Sequence, residues 1–493
     1  MMPSLRTILK MPTGIRRDPW LWAFCFGVVL FLAIPGAVVW SSAQATIIKT
    51  ALDANANGRL ATSAVHLFAS DRLASPVAIW FYQLLLLITK NPILLAFLKN
   101  LHLAVSLCSA IIYLFRRLET PALPALATLF LLPFCWLLLR PLDDVALALP
   151  PAILAFGATI GFCTEATDHP FREGFLALAA AMLSALLSLR PATPLIVLAM
   201  AMLLTPPTSQ QNHRKVLRMA GGLLLVLAAG HFLWLLRHDS SSNHVSIVRS
   251  FLTLVAALPQ LASAWKFTVF PIPTLLSDAC MPWRWLWLVI EYLTYALALM
   301  TLFAGIIGTF RRREERHSNP AVFGGMLAIV ALLVHCLLCA FLRQDGLQRD
   351  LVLILPALLL LLTRGFHFWK KYLRLRQNCL HAICVLGTAL SLCFLAIHLH
   401  VFMGDDNPAC FGSTLGMQWS IAQQLQPYMH AQPPPKLYNY AHCFQYTPQL
   451  LQTLDILASQ TKTAFPSPDE LPERLYIRQQ REGTGLLYIE TQY

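Results

Sequence analysis

The sequence predicts an α-helical polytopic membrane protein with a small soluble domain of mixed helices and strands at its C-terminus. The chain of 493 residues is 57% hydrophobic and 12% charged, whereas soluble globular proteins carry about 25% charged residues. Apolar runs recur along the chain, and short loops rich in arginine or lysine separate them. That alternation is typical of membrane spans and their cytoplasmic connections.

The apolar runs predict about eleven transmembrane helices, with boundaries accurate to a few residues. The predicted spans are residues 20–43, 93–115, 121–139, 145–163, 174–190, 192–206, 218–236, 285–310, 322–342, 351–364 and 379–403. Together they form a transmembrane module over residues 1–403. The composition becomes more polar after about residue 404, which predicts a separate domain at 404–493.

Basic clusters give the orientation of the predicted spans. Arg116–Arg117, Arg214–Lys215 and Arg311–Arg313 all fall at span ends that alternate to the same side. Because lysine and arginine are enriched in cytoplasmic loops, these ends are expected to face the cytoplasm. The N-terminus is therefore predicted to be cytoplasmic and the C-terminal domain extracytoplasmic.

Two outer loops, residues 44–92 and 237–284, are expected to lie at the membrane surface. In the first, a short helix is expected to end near Asp53. A second helix over 76–89 carries Trp80 and Tyr82 and is too short for a full span, which favours an interfacial position with the aromatic rings at headgroup level.

The predicted outer domain contains strand-like stretches at 436–440, 474–478 and 486–489, with helical patterns at 416–430 and 447–461. Cys410 and Cys443 are its two cysteines. They are candidates for a disulfide bond because an exported segment allows oxidation.

The net charge of +13 would suggest nucleic acid binding in a soluble protein. Here the basic residues lie in short clusters between apolar runs, so their place is explained by membrane orientation and no nucleic acid partner is expected. No phosphate-binding loop, dinucleotide fingerprint, nucleophile elbow or zinc signature is present in the sequence. An activated donor is therefore expected to arrive within the membrane.

Acidic residues are scarce, which makes their placement informative. Asp53 follows the first predicted span, and Asp143 and Asp144 open the fourth, all at the predicted outer face. A carboxylate there can act as a general base toward a hydroxyl group, hold a metal or orient a sugar. The alternatives are a solvated loop residue for Asp53 and a helix cap for Asp143.

Several charged residues lie where the orientation rule does not require them. Phosphate binding would explain cations at predicted outer span ends, and anchoring to lipid headgroups would explain them equally. These cations are Arg140, Lys266, Arg343 and Arg349. Glu291 lies about two turns inside a predicted span and is a candidate for substrate binding, with a position near the interface as its alternative.

Three stretches resemble the GT-C-fold glycosyltransferases, most closely the bacterial relatives of protein O-mannosyltransferase and of the lipid A aminoarabinose transferase. Ser75–Leu84 resembles the family's proline- and tyrosine-rich interfacial segment. Leu139–Asp144 resembles its second acidic motif, and Gln348–Leu358 resembles its arginine- and proline-containing stretch. The chain departs from the family at Asp53, which is followed by alanine instead of glutamate, and at Ser75, where the family has lysine. Asp71 and Arg72 are candidates to replace that lysine.

The resemblance implies an inverting glycosyltransferase in the bacterial inner (plasma) membrane. The donor would be a sugar linked to polyprenyl phosphate, and the acceptor a hydroxyl group of a lipid, glycan or protein. Asp53 would activate the acceptor, Asp143 or Asp144 would position a substrate or a divalent metal, and Arg349 with another cation would hold the phosphate. No organic cofactor is implied.

Two other functions stay open at the level of the sequence. A transporter or flippase of lipids would have internal repeats and polar residues at the membrane midplane, whereas here the polar residues gather toward one face. A non-catalytic membrane subunit would use the C-terminal domain for docking.

Overall fold

The computed structural model describes most of the helical core and a small C-terminal sheet. The described residues are 42–62, 65–66, 73–118, 143–164, 170–187, 284–311, 319–341, 355–372, 415–429, 435–439, 472–479 and 487–492, with isolated positions between 20 and 28, between 219 and 230, and at 453.

The first half of the described chain consists of five helices and a short hairpin. Helix α1 is Ser42–Ala56, and strands β1 (Val65–His66) and β2 (Leu73–Ala74) pair in antiparallel orientation. The next helices are α2 (Pro76–Ile88), α3 (Pro92–Arg117), α4 (Asp143–Cys163) and α5 (Pro170–Leu187).

The second half adds three helices and a small α/β unit. The helices are α6 (Arg284–Arg311), α7 (Pro320–Phe341) and α8 (Leu355–Tyr372). The unit contains α9 (Leu415–Met429) and strands β3 (Lys436–Asn439), β4 (Arg474–Gln479) and β5 (Leu487–Gln492), in the order β3-β4-β5.

Local sequence explains where α2 and α3 begin. Ser75 caps α2 by accepting a hydrogen bond from the Val77 amide at 3.0 Å, and Asn91 caps α3 through the amides of Ile93 and Leu94. A proline follows each cap, where its missing N–H costs no helical hydrogen bond. Only three residues separate the two helices, so the end of α2 is held beside the start of α3.

Helices α3, α4 and α5 form a bundle in which α3 and α4 run parallel and α5 runs antiparallel to both. Tyr113 lies 3.0 Å from the position that a Cβ on Gly157 would occupy, and Leu118 and Ile160 both contact Gly324. Glu173 at the start of α5 pairs with Arg117 at the end of α3. One end of the bundle, here called the lower end, thus contains the C-termini of α3 and α4 and the N-terminus of α5.

The upper end of the bundle contains the N-termini of α3 and α4 and the C-terminus of α5. Near it, Ser184 on α5 donates a hydrogen bond to the Ala148 carbonyl of α4 at 3.0 Å. Helix α2 lies over this end, because the Ser75 hydroxyl bonds the Leu186 carbonyl and the Phe81 ring lies 5.0 Å from the His102 ring. The predicted short helix over 76–89 therefore occurs as α2, across the ends of longer helices.

The prediction of about eleven transmembrane helices is wrong. Among the described residues two helical stretches are long and apolar enough to cross a membrane, Pro92–Arg117 and Ala146–Cys163. Apolar stretches of 10–17 residues occur at Pro76–Ile88, Leu299–Arg311 and Pro320–Val334. An apolar run is also what a helix needs in a packed protein core, and 94% of the Ala146–Cys163 stretch is buried inside the protein. Hydropathy alone therefore overestimated the number of spans.

The predicted mostly helical architecture is confirmed in the described ranges. Helices occur where spans were expected at 93–115, 145–163, 174–190, 285–310, 322–342 and 351–364. The predicted spans 121–139, 192–206 and 379–403 lie outside the described residues, as do more than half of 20–43 and of 218–236 and the loop 237–284 except Arg284. The three predicted strands and the helix at 416–430 of the C-terminal part are confirmed as β3, β4, β5 and α9.

The C-terminal part shares its core with the helical bundle. Leu415 and Ala422 on α9 belong to the main buried cluster, and Trp419 packs against it. The Thr453 hydroxyl donates a buried hydrogen bond of 3.1 Å to the Ala45 carbonyl on α1. The other face of α9, with Ile421 and Leu425, covers the sheet through Leu475 and Ile477. Helix α9 therefore joins the sheet to the bundle.

Replacing Trp419 with alanine is expected to destabilise the whole protein, because its ring packs on the main core. The expected loss is about 2 kcal/mol, below the cost of removing a fully buried aromatic residue. Thermal unfolding of the detergent-solubilised protein measures it, with Gln423→Ala on the exposed face of α9 as control. If only the C-terminal unit of the variant unfolds at a lower temperature, while the bundle unfolds at the same temperature as in the wild type, the shared core is contradicted.

Candidate functional site

The end of α1 and the loop after it are fastened to α2 by the side chain of Gln83. Its amide nitrogen donates to Asn55 Oδ1 and to the Arg59 carbonyl, each at 3.0 Å, and its Oε1 accepts from the Ala61 amide at 3.2 Å. Asn55 Nδ2 returns a bond to the Gln83 carbonyl at 3.0 Å. We call Asn55, Arg59, Ala61, Trp80 and Gln83 the α1–α2 clamp. Gln83 is 3% exposed, so its hydrogen bonds are shielded from water.

Trp80 closes the clamp on the solvent side. Its indole N–H donates to the Ala61 carbonyl at 2.6 Å, while the ring is 37% exposed. An amphipathic ring with one satisfied polar atom suits a membrane–water boundary. Trp80 therefore lies at the protein surface, and its expected place at headgroup level stays a prediction.

Tyr82 lies elsewhere than expected. It is 1% exposed and belongs to the main core, where its ring meets Phe81 edge-on at 5.6 Å. Residues two positions apart on an α-helix point about 200° apart, so Trp80 and Tyr82 lie on opposite sides of α2. Its position favours packing over contact with a substrate.

Asp53 lies in the last turn of α1, one turn before the glycine that ends it, and its side chain is exposed. Its backbone carbonyl accepts hydrogen bonds from the Asn57 amide at 3.1 Å and the Asn57 side chain at 2.9 Å. Gly58 then adopts a φ of +60°, a conformation that favours glycine. The turn and the clamp thus fix the backbone beneath an accessible carboxylate.

Asp143 and Asp144 are the first two residues of α4, which places their backbone at the upper end of the bundle. This is the end that α2 crosses and to which the clamp attaches α1. That Asp53 and the acidic pair contribute to one site stays a prediction, because the side chains of the pair are not described. Acidic residues also stabilise a helix N-terminus through its dipole, which gives the pair a structural role as well.

Lys99 is a candidate that sequence reasoning missed. It lies on α3, a helix apolar enough to cross a membrane, and is 3% exposed. Tyr113 on α3 lies beside Gly157 on α4. Lys99 precedes Tyr113 by the same number of residues as Asp143 precedes Gly157. Since the two helices are parallel and rise equally per residue, the Lys99 backbone lies level with the start of α4. A lysine inside an apolar run was the available signal.

Asn100 adds a second buried polar side chain at this level. It is 2% exposed, and its Oδ1 has no hydrogen-bond partner among the described residues. An unpaired buried acceptor costs about 1–3 kcal/mol. Lys99 and Asn100 therefore give the upper end a buried polar character that packing alone does not require.

A separate polar cluster lies at the lower end. The Glu173 carboxylate accepts hydrogen bonds from Tyr113 and from Arg117, whose guanidinium also lies 5.1 Å from the Tyr113 ring centre. Glu173 is 5% exposed. The cluster pairs a buried carboxylate with its counter-charge, and it joins α3 to α5 on the side opposite to Asp53.

The remaining predicted site residues have no described side chains. Glu291 lies in the second turn of α6, and only its backbone is described. The others lie outside the described residues: Asp71, Arg72, Arg140, Lys266, Arg343, Arg349, Cys410 and Cys443. Their roles stay predictions.

No group of three or more histidine, cysteine and acidic side chains suited to a metal ion occurs among the described residues. The expectation of a divalent metal at Asp143 or Asp144 is not tested by this, because the side chains of the pair are not described. Comparison with known proteins finds no matching family model and no matching curated protein.

Proposed function

We propose that the protein is a glycosyltransferase that works at a membrane surface and takes its sugar from a polyprenyl-phosphate donor. The observations behind the proposal are the exposed Asp53 in the last turn of α1, the start of α4 at the upper end, and Lys99, which is buried on α3 at the level of that start. Carboxylates and an ammonium group are what transfer from a lipid phosphate to a hydroxyl requires. The resemblance of Ser75–Leu84 and Leu139–Asp144 to such enzymes supports the same reaction.

Each group has a defined part in the proposed reaction. The acceptor oxygen attacks the anomeric carbon, its proton passes to the Asp53 carboxylate, and the bond from carbon to phosphate oxygen breaks. The phosphate leaves with the bonding electrons, and the anomeric centre is inverted. In the proposed reaction Lys99 balances the negative charge on the phosphate, together with the sequence-predicted Arg349.

Exposed apolar side chains support contact with lipid. On α2 and the start of α3, Leu84, Leu87, Ile88, Ile93 and Leu94 are 42–75% exposed. On α6 a stripe at helical spacing is 54–63% exposed and faces away from α8: Met300, Phe303, Ile307 and Phe310. The surfaces of soluble proteins rarely present continuous apolar patches of this kind. Two helices able to cross a membrane are consistent with a membrane location.

The distribution of arginine supports an orientation. Arg116 and Arg117 end α3 at the lower end, and Arg311 ends α6 on the same side, because Thr309 contacts Gly325 next to the lower-end residue Gly324. The positive-inside rule then predicts that the lower end is cytoplasmic. Under the proposal, the upper end and the C-terminal sheet are extracytoplasmic, in a bacterial inner membrane.

Asp53→Asn is expected to lower the transfer rate at least 100-fold, as loss of a general base typically does. Folding should be unaffected because the side chain is exposed. The assay uses the purified protein in liposomes with undecaprenyl-phosphate carrying radiolabelled hexoses, each tested in turn, and extracted envelope lipids and glycans as acceptors.

Glu473→Gln is the matched control, since Glu473 is an exposed acid in the C-terminal unit. Transfer by the wild type and the control, but not by the Asp53 variant, supports the proposal. Transfer at the full rate by Asp53→Asn would remove its catalytic role. Absence of transfer by the wild type from every donor would overturn the function itself.

A further inference from the structure

The C-terminal sheet has one covered face and one open face. On β4, Leu475 and Ile477 are 2% and 0% exposed and pack against α9. Because side chains alternate along a strand, Arg474, Tyr476 and Arg478 project to the other side. There Arg474 and Arg478 are exposed and Tyr476 is half-buried. The exposure pattern therefore separates a structural face from a free one.

Strand register extends the open face over all three strands. Lys436 and Tyr438 on β3 pair with Arg474 and Tyr476, and directly paired residues share a face. On β5, Gln492 and Glu490 are the partners of Arg474 and Tyr476. All four of these flanking residues are exposed. We call the set of seven the polar sheet face: Lys436, Tyr438, Arg474, Tyr476, Arg478, Glu490 and Gln492.

The tyrosines of the polar sheet face are held in a fixed stack. The rings of Tyr438 and Tyr476 are 5.5 Å apart and inclined by 22°, and the Arg478 guanidinium lies 5.7 Å from the Tyr476 ring centre. Tyr476 donates its hydroxyl proton to Gln492 Oε1 at 2.5 Å. The Tyr476 ring thus has neighbours on its flat sides, which leaves edges and polar groups for a ligand.

The neighbours of Tyr476 disfavour stacking of nucleic acid bases on this ring, since base stacking requires a free ring face. The face instead offers hydroxyl, amide and guanidinium groups. It carries three cations and one carboxylate, Glu490, which pairs with Arg478. The hydrogen bond with Tyr476 raises the pKa of Arg474 above its already high value. The excess positive charge complements an anionic ligand rich in hydroxyl groups.

We propose that the polar sheet face binds an acidic oligosaccharide. Sugar carboxylates would meet Arg474 and Lys436, and sugar hydroxyls would bond the Tyr438 hydroxyl and the Gln492 amide. Ionic hydrogen bonds from arginine to carboxylate supply the strongest contacts. The binding site lies on a different element from Asp53 and does not depend on the proposed transfer reaction.

The test uses the full-length protein in detergent micelles and measures binding by isothermal titration calorimetry. The probes are an oligogalacturonate as acidic sugar, maltohexaose as neutral sugar, inorganic polyphosphate as an anion without sugar rings, and vesicles of anionic phospholipid. Oligogalacturonate is expected to bind, and maltohexaose is expected to bind at least 10-fold more weakly. Arg474→Gln should weaken oligogalacturonate binding about 10-fold, the loss of one charge-assisted contact, and Tyr438→Phe a smaller amount.

Two controls separate this site from other surfaces. Arg311→Gln removes an exposed arginine at the lower end and should leave binding unchanged, and Asp53→Asn should bind like the wild type even where transfer is lost. Absence of oligogalacturonate binding overturns the proposal. So does equal binding of polyphosphate or anionic vesicles, or an Arg474→Gln variant that binds as tightly as the wild type.

Discussion

Gly365→Ala is expected to destabilise the protein by at least about 3 kcal/mol, the upper end of what overpacking usually costs. A methyl group on Gly365 would overlap the backbone carbonyl oxygen of Thr301 on α6, and one on Gly305 would overlap the Leu361 carbonyl oxygen on α8. Each glycine thus meets the backbone of the opposite helix. A backbone cannot rotate away as a side chain can, so α6 and α8 would have to separate.

Separation would affect more than the point of contact. Leu359, Leu361 and Leu362 around this crossing are fully buried, and Arg364 donates a hydrogen bond to the Gly308 carbonyl at 3.0 Å. The measurement is thermal unfolding in detergent, monitored by circular dichroism. Gly222→Ala is the control, because a Cβ there meets no atom within 4 Å and alanine favours a helix. An unchanged unfolding temperature for Gly365→Ala would contradict the close crossing.

Gln83→Leu is expected to destabilise the α1–α2 clamp by about 3 kcal/mol, since three side-chain hydrogen bonds are lost at about 1 kcal/mol each. Leucine fills a similar volume, so the effect comes from the unpaired partners at Asn55, Arg59 and Ala61. Under the proposed function, transfer should fall with stability, because the backbone beneath Asp53 loses its support. Chemical unfolding and the transfer assay on the same preparation measure both effects.

A graded series sharpens this test. Asn55→Ala removes the bonds to Gln83 but keeps those to Arg59 and Ala61, and should cost about 1–2 kcal/mol. Gln424→Leu removes a glutamine whose exposed side chain bonds only Ser420 among the described partners, and should change stability by less than about 0.5 kcal/mol. Equal losses for Gln83→Leu and Gln424→Leu would show that the clamp contributes nothing specific.

The sequence was sufficient where a property is local. Serine or asparagine followed by proline predicts the starts of α2 and α3, and alternating apolar residues predict β3, β4 and β5. Each depends on residues that are neighbours in the chain. That α2 is too short for a full span was also predictable, since its 13 residues span about 20 Å, less than the thickness of a bilayer core.

The number of spans does not depend on local sequence alone, and it was predicted wrongly. Whether an apolar helix faces lipid or protein depends on what surrounds it, and most of α4 faces protein. Tyr82 shows the same limit for a single residue. The residues around Tyr82 in the sequence are compatible with an aromatic ring at the surface. The direction of its side chain on the helix instead places Tyr82 in the core, whereas Trp80 remains exposed.

Within the candidate site, the sequence determined the residue types and the tertiary structure decided their grouping. Because acidic residues are scarce in this apolar chain, the sequence indicated Asp53 and Asp143–Asp144 as candidate site residues. The roles of Gln83 and Lys99 depend on α2 crossing the upper end of a bundle in which α3 and α4 run parallel, contacts between residues far apart in the chain. Local patterns specify helices, but burial and hydrogen-bond partners arise when helices pack. The sequence by itself therefore determined a helical, apolar chain with a small sheet, and only the packing decided which polar residues are enclosed together.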